Sequence, residues 1–130
     1  MSYERLVAGY LAHAYAVAHK HDDTHFWAYQ GLHRLAELKP EAAWPLILEV
    51  VKGATDDQML GYISADILED IICDHAEALI ERIEVLAHAD EHFKKALSNV
   101  WIWGASMPAD VQTRLYVLVG REPTTSEGDG

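Results

Sequence analysis

Cysteine is almost missing from this chain: Cys73 is the only one, so no internal disulfide is available and nothing points to an oxidising compartment. Long apolar runs are missing too. None approaches the ~20 residues that a bilayer span needs. The stretch Leu6 to Ala18, ending Ala16-Val17-Ala18, faintly imitates a signal peptide. However, Glu4 and Arg5 cancel its basic start, and Tyr10, His13 and Tyr15 interrupt it. It reads as the first amphipathic helix of a cytoplasmic protein. Strand-like alternation is nearly absent. So are a phosphate-binding glycine loop, a nucleophile elbow, a dinucleotide fingerprint and a paired CxxC. Basic residues are scarce: 10 Lys plus Arg stand against 21 Asp plus Glu, a formal net charge of −11. A field of that sign repels phosphate backbones and anionic membranes, and favours a basic protein partner.

What remains is helix. The 130 residues, half of them hydrophobic, suffice for one core, read as a single helical domain over 1–120 with a flexible polar tail at 121–130. Helix one is expected over about Tyr3 to Lys20, with Leu6, Tyr10, Ala14 and Val17 on its buried face. After the break at His21-Asp22-Asp23-Thr24, a second helix covers about His25 to Leu38. Pro40 opens a third, which Gly53 ends, although Pro45 is awkward inside it and suggests a start near Trp44. Thr55-Asp56-Asp57 caps a short fourth helix to about Tyr62. Ser64 caps a fifth to about Asp74, and a sixth runs from about Glu77 to His88. Asp90 caps a seventh ending near Trp103-Gly104. Ser106 and Pro108 open the last, which stops at Gly120. A weak repeat at a spacing of 35 residues pairs Ala43, Glu49, Val50 and Ala54 with Ala78, Glu84, Val85 and Ala89. The expected fold is therefore all-α: antiparallel hairpins in a HEAT/armadillo-like stack of about seven or eight helices.

Several residues carry a resemblance. They are Trp44 with Ile47-Leu48, Leu68-Glu69-Asp70-Ile71-Ile72, Arg82-Ile83-Glu84, Asp90, Phe93, Leu97 and Val100-Trp101. From about Phe26 to Tyr116 the chain resembles a family of small bacterial helical proteins known only as a domain of unknown function. Ala65-Asp66-Ile67 departs from the family's Gly-Pro, and Ala76 from a usual glycine. The resemblance implies a fold and no activity. Across a helical hairpin, Arg82 is expected to meet Glu69 or Asp70 as a structural ion pair.

Acid is the strongest local signal. Between Asp66 and Glu91 lie nine carboxylates and one base, Arg82, a local charge of −8. Asp66, Asp70 and Asp74 make one stripe, and Glu77, Glu81 and Glu84 a second. Like charges at i, i+4 cost roughly 0.2–0.5 kcal/mol per pair, so the pattern stabilises nothing locally. It reads either as a solvated face or as a docking surface for a basic protein such as a toxin or nuclease, with Trp103 as an aromatic anchor. The second reading makes the chain a non-catalytic immunity protein or inhibitor, or one imitating nucleic-acid charge, with no cofactor, no metal, no membrane and no direct nucleic acid.

Two rivals remain. The His21-Asp22 doublet fits a metal-dependent HD-type phosphohydrolase that drafts in His13, His19 or His25 with Asp66 or Asp70. A repeat-like adaptor would instead use apolar or aromatic surfaces. His88-Ala89-Asp90-Glu91-His92 matches the inverted zinc-protease string, but Asp90 as an N-cap breaks the helix it needs. Cys73 and Trp101 read as core.

Overall fold

A computed structural model describes residues 2–102 and 107–120. Expectations for Trp103, Gly104, Ser106 and the tail 121–130 lie outside the described residues. The elements are α1 (Tyr3–Ala18), α2 (Phe26–Leu38), α3 (Pro40–Lys52), α4 (Asp57–Ile63), a π-helical turn (Ser64–Leu68), α5 (Glu69–Ala89), α6 (Glu91–Ser98) and α7 (Ala109–Val119). Helix is the only regular structure among the described residues.

α1 starts where the Ser2 hydroxyl accepts the Arg5 N–H. It ends at Ala18, two residues before Lys20, and the reason is backbone geometry. Lys20 takes a left-handed conformation (φ 59°), its N–H donates to Val17 O, and the His21 N–H donates to Ala16 O. That pair of bonds is a Schellman closure, built here without the usual glycine. The buried face of α1 is Leu6, Gly9, Tyr10, His13 and Ala14, whereas Val17 is 40% exposed. At Gly9 any Cβ would lie 2.7 Å from the Trp27 ring and 2.8 Å from the Ala28 methyl, so glycine lets α1 and α2 approach closely. α3 begins at Pro40 and keeps Pro45 inside, against the expectation of a start at Trp44. Burial of Ala43, Trp44, Ile47, Val50 and Val51 on one face offsets the lost hydrogen bond.

The main departure lies between Asp57 and Ala89, where the three expected helices follow one another without a loop through α4, the π turn and α5, and the break expected after Asp74 is reduced to a kink at His75. The seven or eight helices thereby become six rods. Ser64 is no cap but a fully buried residue inside the run. Four buried pairs explain the π turn. Met59-Leu60, Ile63-Ser64, Ile67-Leu68 and Ile71-Ile72 are all buried at a strict four-residue spacing. At 3.6 residues per turn, twelve residues would carry the last pair about 120° away from the first. One wide turn takes up the surplus residue and keeps all four pairs on the core. Beyond it the buried positions Ala76, Leu79, Ile80, Ile83 and Ala87 return to ordinary α spacing, with a kink at His75 (φ −134°, ψ 19°).

Asp90 caps α6 as expected, its Oδ1 accepting from the N–H groups of His92 and Phe93. α6 stops at Ser98, sooner than expected, so Trp101 does not continue its apolar face. Trp101 is 66% exposed, and Ile102 is the residue that enters the core. Cys73 is only half-buried. Trp44 and Phe93 meet edge to face, with centroids 6.2 Å apart, joining α3 to α6. Gly120 closes α7 in the left-handed conformation, φ 69°.

Candidate functional site

Two features stand out: a polar network in the core beside the π turn, and an acidic face that leads away from it along α5. The network begins at Tyr10, which is wholly buried on α1. Its hydroxyl donates to Asp66 Oδ2 over 2.5 Å. The same oxygen accepts from His33 Nε2 on α2 at 2.8 Å, and His33 Nδ1 faces Asp70 Oδ2 at 3.1 Å. The ring therefore lies between two carboxylates, one in the π turn and one in the first turn of α5. Burial opposes charge on His33, but the hydrogen bonds and charges of Asp66 and Asp70 outweigh it, and its pKa is pushed up to about 9. The ring is an imidazolium at neutral pH. Burial first, and then Asp66, hold the Tyr10 phenol far above its ordinary value, so it acts only as a donor.

A second chain of bonds runs alongside. His13, buried on α1, has Nδ1 2.6 Å from Asp23 Oδ2 and Nε2 2.7 Å from the Tyr62 hydroxyl. With a proton on Nδ1, Nε2 accepts from Tyr62. Asp23 also accepts the His25 N–H at 2.9 Å, which orders the α1–α2 connection in place of a side-chain cap. The rings of Tyr10, Phe26, Tyr29 and Tyr62 surround His13.

His33, Asp66 and Asp70 each offer a ligand atom within 4.8 Å of the others. The His33 ring lies between the two acids, with one ring nitrogen facing each, and a cation binding all three residues would have to turn the ring. The acids enlisted for a site at His21-Asp22 face His33 instead, and His21 and Asp22 are both exposed. His88 is exposed on α5, while His92, beyond the Asp90 cap, faces Val51 O through Nε2 at 2.8 Å.

α5 carries both acidic stripes, Asp70 and Asp74 before the kink at His75 and Glu77, Glu81 and Glu84 after it. Their surroundings differ. Asp66 is turned inward, its side chain 17% exposed, and Asp70 is exposed but bound to His33. Glu84 receives two bonds from Arg114 of α7, at 2.9 Å from Nε and 2.5 Å from an Nη nitrogen, which hold its carboxyl below the usual range. Arg82 reaches neither Glu69 nor Asp70; it pairs with Glu41 on α3 at 2.8 Å. Glu69 instead accepts the Trp101 N–H at 2.9 Å. In the middle, Asp74, Glu77 and Glu81 are exposed and lie in no hydrogen bond or close ion pair among the described residues, although Glu81 adds to the charge that favours the Arg114 guanidinium.

Beside Glu81 the surface turns apolar. Trp44 and Leu48 of α3 and Val85, Leu86 and Ala89 of α5 line an open groove of about 420 Å³, with Glu81 and Arg82 at its rim. Sequence reasoning missed both this groove and the role of His33. Only the exposed Val85, out of place on a polar face, hinted at the first.

An all-helical protein with a part-buried histidine–carboxylate network and an exposed acidic ridge is the class that these features define. The chain belongs to a family of unknown function, DUF6869, whose model matches residues 16–122. No curated protein and no solved structure matches it. Among the described residues, no helix is long and apolar enough to cross a membrane.

Proposed function

We propose that this chain is a non-catalytic acidic binding protein that docks on a basic protein surface. An immunity protein or inhibitor of a cationic bacterial toxin or nuclease acts in this way, as does an inhibitor imitating the charge of nucleic acid. The observation that carries the reading is the contrast along α5. Asp66, Asp70 and Glu84 are bound to partners within the fold, and the three carboxylates between Asp70 and Glu84 are left to solvent. An exposed row of like charges does nothing for stability. It does accelerate encounter with a partner of opposite charge. The network around Asp66 then has a structural part, fixing the helix that presents the row. Arrangement of the rods as antiparallel hairpins of the HEAT/armadillo type, and a cytoplasmic location, complete the proposal.

The test is a charge reversal, Asp74→Lys with Glu81→Lys, measured against the partner recovered from the native host by cross-linking. Association slows by tenfold or more and its salt dependence flattens, with dissociation less affected. Undiminished association, or a recovered partner with an acidic contact surface, overturns the docking reading.

A further inference from the structure

We propose that the apolar groove between α3 and α5 seats the apolar side of a basic amphipathic helix of the partner, whose lysines and arginines run along Glu81, Glu77 and Asp74. This rests on the docking reading and adds the kind of segment that docks. Residues 81, 85 and 89 form one i, i+4 ridge of α5, residues 82 and 86 a second, and residues 44 and 48 face them from α3. Such ridges bound a trough suited to a helix. Val85, 70% exposed at its wall, is an apolar side chain with no use in the core. Leu48 and Leu86 are half-buried beside it, and Trp44 underlies them.

Charge selects the occupant. Arg82, the cation at the rim, is tied to Glu41, while Glu81 lies in no close ion pair among the described residues and begins a row that continues through Glu77 to Asp74. From Val85 to Glu77 is eight residues, about 12 Å of regular helix, with Asp74 just beyond the kink at His75. A segment lying along this track meets apolar wall at one end and carboxylate at the other. A second copy of the chain is a poor occupant, since each copy carries a net charge of −11.

The probe is a synthetic 18-residue helix with leucine along one face and lysine elsewhere, together with one analogue carrying glutamine for leucine and another carrying glutamate for lysine. Binding is read by fluorescence anisotropy at two salt concentrations. Val85→Asp is expected to weaken binding at least tenfold. Leu38→Asp, at an apolar residue on α2 that is 61% exposed and outside the groove, changes it less than twofold. Because Val85→Asp adds negative charge, which by itself attracts the peptide, its loss of affinity reports the apolar contact. Melting temperatures of both variants establish that they remain folded.

Undiminished binding by Val85→Asp, or equal binding of the glutamine analogue, overturns the groove and leaves the acidic row standing. Equal binding of the glutamate analogue removes the charge reading itself. A concentration-dependent dimer that Val85→Asp dissolves makes the groove an interface between copies of this chain and overturns the proposal.

Discussion

Tyr10 and Asp66 stand 56 residues apart in sequence and share one 2.5 Å hydrogen bond inside the core, so the middle of α1 is pinned to the π turn. Asp66 and Asp74 therefore behave as opposites although both belong to the acidic segment. Asp66→Ala strands the buried Tyr10 hydroxyl and removes one of the two counter-charges of His33. It is expected to cost about 2–4 kcal/mol. Asp74→Ala leaves nothing unpaired and should leave stability unchanged within about 0.5 kcal/mol. Urea denaturation of the two variants checks the contrast, and equal losses would show that Asp66 is not held as described.

His33 gives stability a pH dependence of definite sign. Its folded pKa, about 9, lies above the ordinary 6.5, so the folded chain holds the proton more tightly than the unfolded one. The contribution is complete below pH 6.5 and is lost as pH rises through 9. Allowing for solvent screening, its size is roughly 1–2 kcal/mol. Melting temperature should decline across that window in the native chain. In His33→Gln the decline should be much shallower. Parallel profiles would place the titration elsewhere.

Ser64 is fully buried, and its hydroxyl finds no hydrogen-bond partner among the described residues. Ser64→Ala removes a desolvated polar group and improves helix propensity. It should raise stability by about 1 kcal/mol. Thermal denaturation decides: a lower melting temperature means that the hydroxyl is satisfied.

Lys20 supplies a left-handed residue where glycine is the usual choice. Lys20→Gly should stabilise the chain by roughly 0.5–1 kcal/mol, less the entropy that glycine adds to the unfolded state. A loss of stability would mean that the lysine side chain makes contacts worth more than the strain.

How much of this was legible beforehand depended on the range of the interaction concerned. The caps at Asp56 and Asp90, the first-turn proline at 40 and the stop at Gly120 are local chemistry, and they stand where the residues suggested. The break expected at Ser64 was misread, whereas the one expected between Asp74 and Glu77 falls at the kink of His75. Serine signals a cap only when no buried face continues past it. Here four buried pairs carry the helix through Ser64, and their four-residue spacing was the overlooked sign of a wide turn. The pairing of Arg82 with Glu41 and the sandwich around His33 join distant segments, and side-chain spacing along one helix says nothing about them. Of the proposed docking residues, Asp74, Glu77 and Glu81 are exposed and in no close ion pair among the described residues. Asp66, Asp70 and Glu84 are engaged, and Trp103 lies outside the described residues.

The π turn also governs how the chain tolerates a change of length. Ala65 is exposed, and its loss removes no core contact. Deleting it would let the wide turn relax into regular α-helix, and the eleven steps then left between Met59 and Ile71 turn through about 1100°, within about 20° of whole turns. Ile71 and Ile72 would stay on the core, and Asp70 would stay beside His33. The π turn thus absorbs the one surplus residue, so a one-codon deletion at 65 should be tolerated where an insertion into the regular part of α5, which rotates everything downstream by about 100°, is not.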